Sequence, residues 1–400
     1  MKQTGKLILS PRAIGGHHGT GVQLRHFIDI ASHQPVAINY LFPERAADDL
    51  SKVIEAKVIE YWPFKLWGRK FLSRNENRIP FRYWSDDRLT PRGKHALLSA
   101  IASCNPVLPA IAVAHDERCA KRLNSIHRET GIPFDLILYD WMHLDEPSLE
   151  SFPQLAECIN TARTVYTISP PLHRLALALK GNECPVTIRR IGFYRAMPSF
   201  VARKDSPIAD ATLKVFVIAD AKRQPFLELL TSLKELNRQG PRIKLLIHFV
   251  GNPRDLAKLA EAHVCDTLSV IFHGVVTSSE RDRIAAECDI AYLAGPAVDP
   301  MVCPLSKYSL PSKIGDFAAV GLPVVARIAS GSAIEEAIRE ELSEFVLRIT
   351  SASELFIKLQ EIVHDPGCLL AMSESALRYA ENHVILPGAI RGLPLLAASA

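Results

Sequence analysis

The chain has 400 residues, 48% hydrophobic and 22% charged, which is length for two domains with sizeable cores and a composition unlike that of a disordered chain. A formal net charge of +4 is too small to argue for a nucleic-acid partner. No apolar run approaches the length that spans a bilayer, and the start, MKQTGKLILSPRAIGG, lacks the apolar centre and cleavage site of a signal peptide, so the expected location is cytoplasmic.

In chain order, β-rich apolar runs alternate with amphipathic segments of helical length, the pattern of parallel sheets flanked by helices. Strands are expected at 6–10, 35–42, 109–114, 134–140 and 163–168 in the first half. A second set is expected at 213–219, 243–250, 268–273, 289–293 and 322–327. The polar, non-periodic stretch RAMPSFVARKDSPIADAT, residues 195–212, reads as an interdomain linker. The expected fold class is therefore α/β with two Rossmann-like domains, over 1–200 and 201–385, followed by a tail over 386–400.

After the first strand comes GGHHGTGVQLRHF, a loop placed where doubly wound sheets bind ligands at their carboxyl ends. Its glycines at 15, 16, 19 and 21 do not have the dinucleotide-binding spacing, and a plain flexible turn is the alternative. Residues 60–95 mix basic side chains with Trp62, Phe64, Trp67, Phe71, Phe81, Tyr83 and Trp84. That mixture suits an anionic membrane surface and also single-stranded nucleic acid, of which the membrane is preferred because nothing else in the chain reads as a nucleic-acid module; the alternative is a core of aromatics with solvated charges. The strand near 134–140 then runs into Asp140, His143, Asp145 and Glu146, titratable groups at a strand's carboxyl end. The pair His115 and Asp116 after the AIAVA run is a weaker candidate for the same site. The eight cysteines are scattered, with no C-x-x-C pair, and are expected to be reduced, buried and small, forming neither a disulfide frame nor a metal site.

Residues 309–326, SLPSKIGDFAAVGLPVVA, carry the most information. Pro311 and Ser312 give a helix start, Ile314, Phe317, Ala318 and Val320 an apolar face, and Gly321 a stop before the buried run Val324, Val325, Ala326. The helix start favours an anion, Lys313 adds a charge, and Asp316 is placed to accept hydrogen bonds from hydroxyls; a solvated helix face is the alternative. Phosphate and hydroxyls together point to a nucleotide sugar.

This stretch resembles the sugar-nucleotide signature of the GT-B glycosyltransferase superfamily, with a Ser/Pro-Ser-Lys turn, a helix bearing an acid, and Gly-x-Pro-Val-Val. The preceding IFHGVVTSSERDRIAAECDIAYLAG, residues 271–295, is similar to the same superfamily's strand, turn, short helix and second strand. Family-4-like transferases and the xanthan-pathway glucuronosyltransferase are the most similar members. The resemblance implies two Rossmann-like domains facing a central cleft, with the C-terminal tail returning to the first. The activity it implies is transfer of a sugar from a nucleotide-diphosphate donor to a hydroxyl acceptor, a lipid-linked or cell-surface glycan precursor, at the inner face of the membrane. No metal cofactor and no nucleic acid are expected.

By the same resemblance, Gly15, Gly16, Lys222, Arg223 and Val275 join Ser312, Lys313 and Asp316 around the donor, and His17, His18 and His115 lie toward the acceptor. His143 takes the position of the catalytic aspartate, as a general base oriented by Asp140 or Asp145. The superfamily's paired glutamates are replaced by Tyr308 and Asp316, which leaves retention or inversion open. A nucleotide-sugar 2-epimerase and a catalytically degenerate GT-B binding protein are the alternatives on this scaffold.

Overall fold

A computed structural model describes residues 5–10, 36–40, 58–62, 78–80, 84–85, 87–104, 106–145, 148–192, 195, 198, 212–218, 223–239, 243–251, 256–294 and 299–384. The chain forms two compact units, one of Met1–Ile191 with Tyr308–Leu310, the other of Gly192–Lys307 with Pro311–Pro394. Both are parallel α/β structures. The expected tail over 386–400 lies outside the described residues, as does most of 60–95.

In the first unit the strands are β1 (Gly5–Ser10), β2 (Val36–Tyr40), β3 (Val58–Trp62), β4 (Arg78–Pro80), a short antiparallel pair β5 (Trp84–Ser85) and β6 (Arg88–Leu89), then β7 (Pro106–Ala114), β8 (Phe134–Leu138), β9 (Thr164–Thr167) and β10 (Thr187–Arg190). Helices α1 (Pro91–Cys104), α2 (Glu117–Thr130), α3 (Pro153–Thr161) and α4 (Pro170–Leu179) lie between them in sequence. The main sheet has the order β10-β9-β8-β7-β1-β2-β3-β4. Its centre is dry: Ala110 to Ala114 and every residue of β8 are buried, as strands covered on both faces require. The order reverses between β1 and β7, so the ligand-binding crevice of this sheet is expected beyond Ser10 and Ala114.

The second unit contains β11 (Thr212–Ile218), α5 (Arg223–Gln239), β12 (Lys244–Val250), α6 (Leu256–Glu261), β13 (Leu268–Gly274), α7 (Ser278–Ala286), β14 (Ile290–Ala294), α9 (Lys313–Ala319), β15 (Val324–Arg327), α10 (Ala333–Ala337), a π-helical turn Ile338–Leu342, β16 (Val346–Ile349), α11 (Ala352–His364) and α12 (Cys368–His383). Helix α8 (Pro304–Tyr308) precedes Ser309. The six strands run β13-β12-β11-β14-β15-β16, the doubly wound order with its reversal between β11 and β14. Phe226, Phe249 and Phe272 form one aromatic cluster of the core, with ring centroids 5.7 and 5.3 Å apart, and Phe216 and Phe317 form another at 5.9 Å.

Cys119, Cys158, Cys184, Cys265, Cys288, Cys303 and Cys368 are free; Cys119, Cys158 and Cys288 are buried as expected, whereas Cys265 is exposed. Among the described residues no helix is long and apolar enough to cross a membrane.

Candidate functional site

In the first unit the fold brings His115, Asp140 and His143 to the carboxyl ends of neighbouring strands β7 and β8. His115 is 6% exposed, and its carbonyl accepts from the Met142 amide at 3.0 Å, which ties the loop after β8 to the end of β7. Asp116 caps α2, accepting from the Cys119 amide at 2.7 Å. Tyr139 is buried, and burial followed by the charge of Asp140 pushes its phenol above the ordinary range. Asp140 accepts a hydrogen bond from the Ser309 hydroxyl, and the neighbouring Tyr308 carbonyl accepts from Ser169 at 2.6 Å. Ser169 also caps α4.

His143 packs against two aromatic rings that also touch each other, with centroids 5.2 Å from Trp141 and 5.7 Å from Phe152, which are themselves 5.2 Å apart. Its Nε2 is buried with no hydrogen-bond partner among the described residues. Asp145, two residues on, is exposed. The four residues Gly15, Gly16, His17 and His18 lie outside the described residues, and so does Lys222.

In the second unit, Ser312 stands at the N-cap of α9 without a side-chain cap hydrogen bond, and Lys313 is the first helical residue. The helix ends as its sequence demands. Gly321 has φ 72°, its amide donates to Ala318 at 2.9 Å, and the Leu322 amide reaches back to Phe317 at 2.9 Å, a Schellman closure that a left-handed glycine permits. Pro323 then leads into β15, whose Val324, Val325 and Ala326 are buried.

Asp316, expected to face sugar hydroxyls, is 7% exposed and is held by two guanidinium groups. Arg195 Nη1 lies 3.1 Å and Arg281 Nη2 3.2 Å from Asp316 Oδ1. Arg195 also pairs with Asp282, which in turn lies 2.9 Å from Arg281 Nη2. The result is a closed cluster of two positive and two negative side chains, each largely buried. Burial opposes the charge on Arg281, but Asp316 and Asp282 outweigh it and hold its ionisation above the ordinary range. Arg195 falls in a stretch that reads as linker, and no local sequence signal marks it. Its amide donates to the Val384 carbonyl at 3.2 Å, and a Cβ at nearby Gly192 would lie 2.0 Å from the His383 carbonyl oxygen. This segment is thus seated closely against the end of α12.

Arg223 is the first residue of α5, directly after the β11 loop. Val275, in the turn after β13, is 73% exposed. Among the described residues no group of three or more His, Cys, Asp and Glu side chains is placed to hold a metal ion.

No protein-family model matches the chain, and no curated protein matches it significantly in sequence. Solved structures do. The chain is similar over 99% of its length, and 100% of the other chain, to HepE of Anabaena in complex with UDP, at TM-score 0.65 and 13% identity. It is similar over 94% of both chains to the sucrose-phosphate synthase of Thermosynechococcus elongatus, at TM-score 0.58 and 12% identity. A third likeness is to the lipopolysaccharide outer core galactosyltransferase WaaB, over 94% of this chain and 98% of that one, at TM-score 0.51 and 12% identity. Two parallel doubly wound sheets in one chain, with likeness of this extent, are the GT-B glycosyltransferase fold.

Proposed function

We propose that the protein is a glycosyltransferase that moves a sugar from a nucleotide-diphosphate sugar to a hydroxyl acceptor. The observation that carries this reading is the likeness along 99% of the chain to a structure solved with UDP. The donor lies at the carboxyl ends of the second-unit strands, around the β11–β14 reversal, where doubly wound sheets bind nucleotides. Ser312 and Lys313 contact the diphosphate, with Arg223 as a further contact, and Val275 offers an apolar surface to the base. Cationic and amide groups neutralise the leaving diphosphate, so no metal cofactor is required.

His143 takes the acceptor proton. With Nε2 buried beside Trp141 and Phe152, that role falls to Nδ1, and His115 lines the acceptor side. Asp140 and Asp145 are the carboxylates on hand to orient or replace it. The acceptor is a lipid-linked or cell-surface glycan precursor, a reading supported by the aromatic and basic composition of 60–95, which suits a peripheral position on an anionic membrane.

A thermal-shift screen with UDP, GDP, ADP and their sugars tests the reading, since a ligand at a hundred times its dissociation constant adds about 2.7 kcal/mol. No shift with any of them would overturn it.

A further inference from the structure

At the carboxyl edge of the second-unit sheet, two imidazoles meet that play no part in the site described so far. His248 of β12 and His273 of β13 place Nδ1 and Nε2 3.0 Å apart, with ring planes at 11° and centroids 5.3 Å apart. Each ring nitrogen stands about 1.2 Å from its own centroid, so only a head-on, nearly coplanar arrangement satisfies both distances. The contact is therefore an in-plane hydrogen bond. One ring donates and the other accepts; with both rings protonated, two N–H groups would face each other.

The pair sits at an irregularity of the sheet. Pairing passes from Phe249 opposite Phe272 to Val250 opposite Gly274, so His273 is the extra residue of a β-bulge. Gly274 follows with φ 70°, and its carbonyl accepts from the Gly251 amide at 2.8 Å. Exposed Val275 comes next, and Thr277 then caps α7 by accepting from the Glu280 amide. The turn Gly274–Val276 thus has one end set by the bulge and the other by a helix cap. His248 is 8% exposed, and the other charges near the pair are Lys214 of β11 with Glu280, Arg283 and Glu287 at α7.

We infer that His248 and His273 are positioning residues: their shared hydrogen bond fixes the bulge and hence the turn that meets the nucleotide. This rests on the donor site proposed above. Protonation of both rings breaks the bond, releases the bulge and weakens nucleotide binding in acid.

The test compares the parent with the double variant His248→Asn, His273→Gln, in which a side-chain amide stands in for each of the two facing ring nitrogens, keeping a hydrogen bond that does not titrate. UDP affinity by calorimetry and thermal midpoint are measured from pH 7.5 to pH 4. Protonation of the nucleotide itself is common to both proteins and cancels. The expected result is a parent whose UDP affinity falls about tenfold more than that of the double variant across this range, with similar affinities at pH 7.5. The single variant His273→Ala loses affinity throughout. Equal pH slopes in parent and double variant would overturn the inference while leaving the donor site standing. A parent that binds no nucleotide at pH 7.5 would remove the donor site and the positioning role together, and unequal midpoint slopes would then assign the pair to stability alone.

Discussion

Arg195 and Asp316 form a buried ion pair, 3.1 Å between Nη1 and Oδ1, joined by a second contact from the same nitrogen to the Asp316 carbonyl at 3.3 Å. One guanidinium therefore grips both the side chain and the backbone of α9. Together with Asp282 and Arg281 it balances two positive charges against two negative ones in a dry setting. A cluster of this kind makes a small net contribution while complete and is costly when broken.

Arg195→Met removes one positive charge and keeps most of the apolar stem, leaving two carboxylates to share Arg281. We expect a loss of about 3–5 kcal/mol in chemical denaturation. Adding Asp282→Asn restores the balance of charge and should recover part of that loss. A single variant as stable as the parent would show that Arg195 does not hold α9.

Lys313→Ala should weaken binding of the preferred nucleoside diphosphate by about 1.5–3 kcal/mol while leaving the thermal midpoint of the unliganded protein unchanged. Isothermal titration of both proteins decides the matter. Unaltered affinity would take Lys313 out of the donor site.

His143→Phe sets against Trp141 and Phe152 a ring of similar shape with no buried polar nitrogen. Stability should hold or rise, whereas transfer with saturating donor should drop by about two to four orders of magnitude if the imidazole is the base. Asp140→Asn, which keeps an acceptor for the Ser309 hydroxyl, should act more mildly. If the ranking of the two variants is reversed in turnover assays, the base is Asp140.

Acid should destabilise the fold through His248. Burial first, and then the neighbouring charge of His273, lower its pKa from the ordinary 6.5 to about 4. The unfolded chain therefore binds the proton first as pH falls, so stability declines from about pH 6.5 and the loss is complete near pH 4, at on the order of 2–3 kcal/mol. Denaturation of His248→Asn over the same range should lack this component. A variant with the parental slope would place the acid sensitivity elsewhere.

All ten strands expected from the apolar runs are present; nine are interior strands, which in a parallel sheet need residues that are apolar on both faces and so declare themselves, and β13 is an edge strand. Those not foreseen lie at or near edges. β10, TIRR, alternates between exposed and half-buried positions, and β4 has only three residues, Arg78–Pro80. The closing of α9 at Gly321 was legible because a Schellman turn is a local event. Arg195 was not, since its partners Asp282 and Asp316 stand 87 and 121 residues away and no neighbour in sequence announces them. Asp316 was identified as important from its place in the helix, but its partners are arginines of the same unit, a fact that only the tertiary fold reveals.

The assignment of Tyr308–Leu310 to the first unit has a consequence for biosynthesis. A ribosome releases Met1–Ile191 long before it reaches Ser309, so Asp140 and Ser169 emerge without the hydroxyl and carbonyl that later engage them. Among the described residues, the N-terminal unit is thus assembled in two instalments separated by more than a hundred codons, and its loop after β8 waits for the second, even though the strands beneath it are made first.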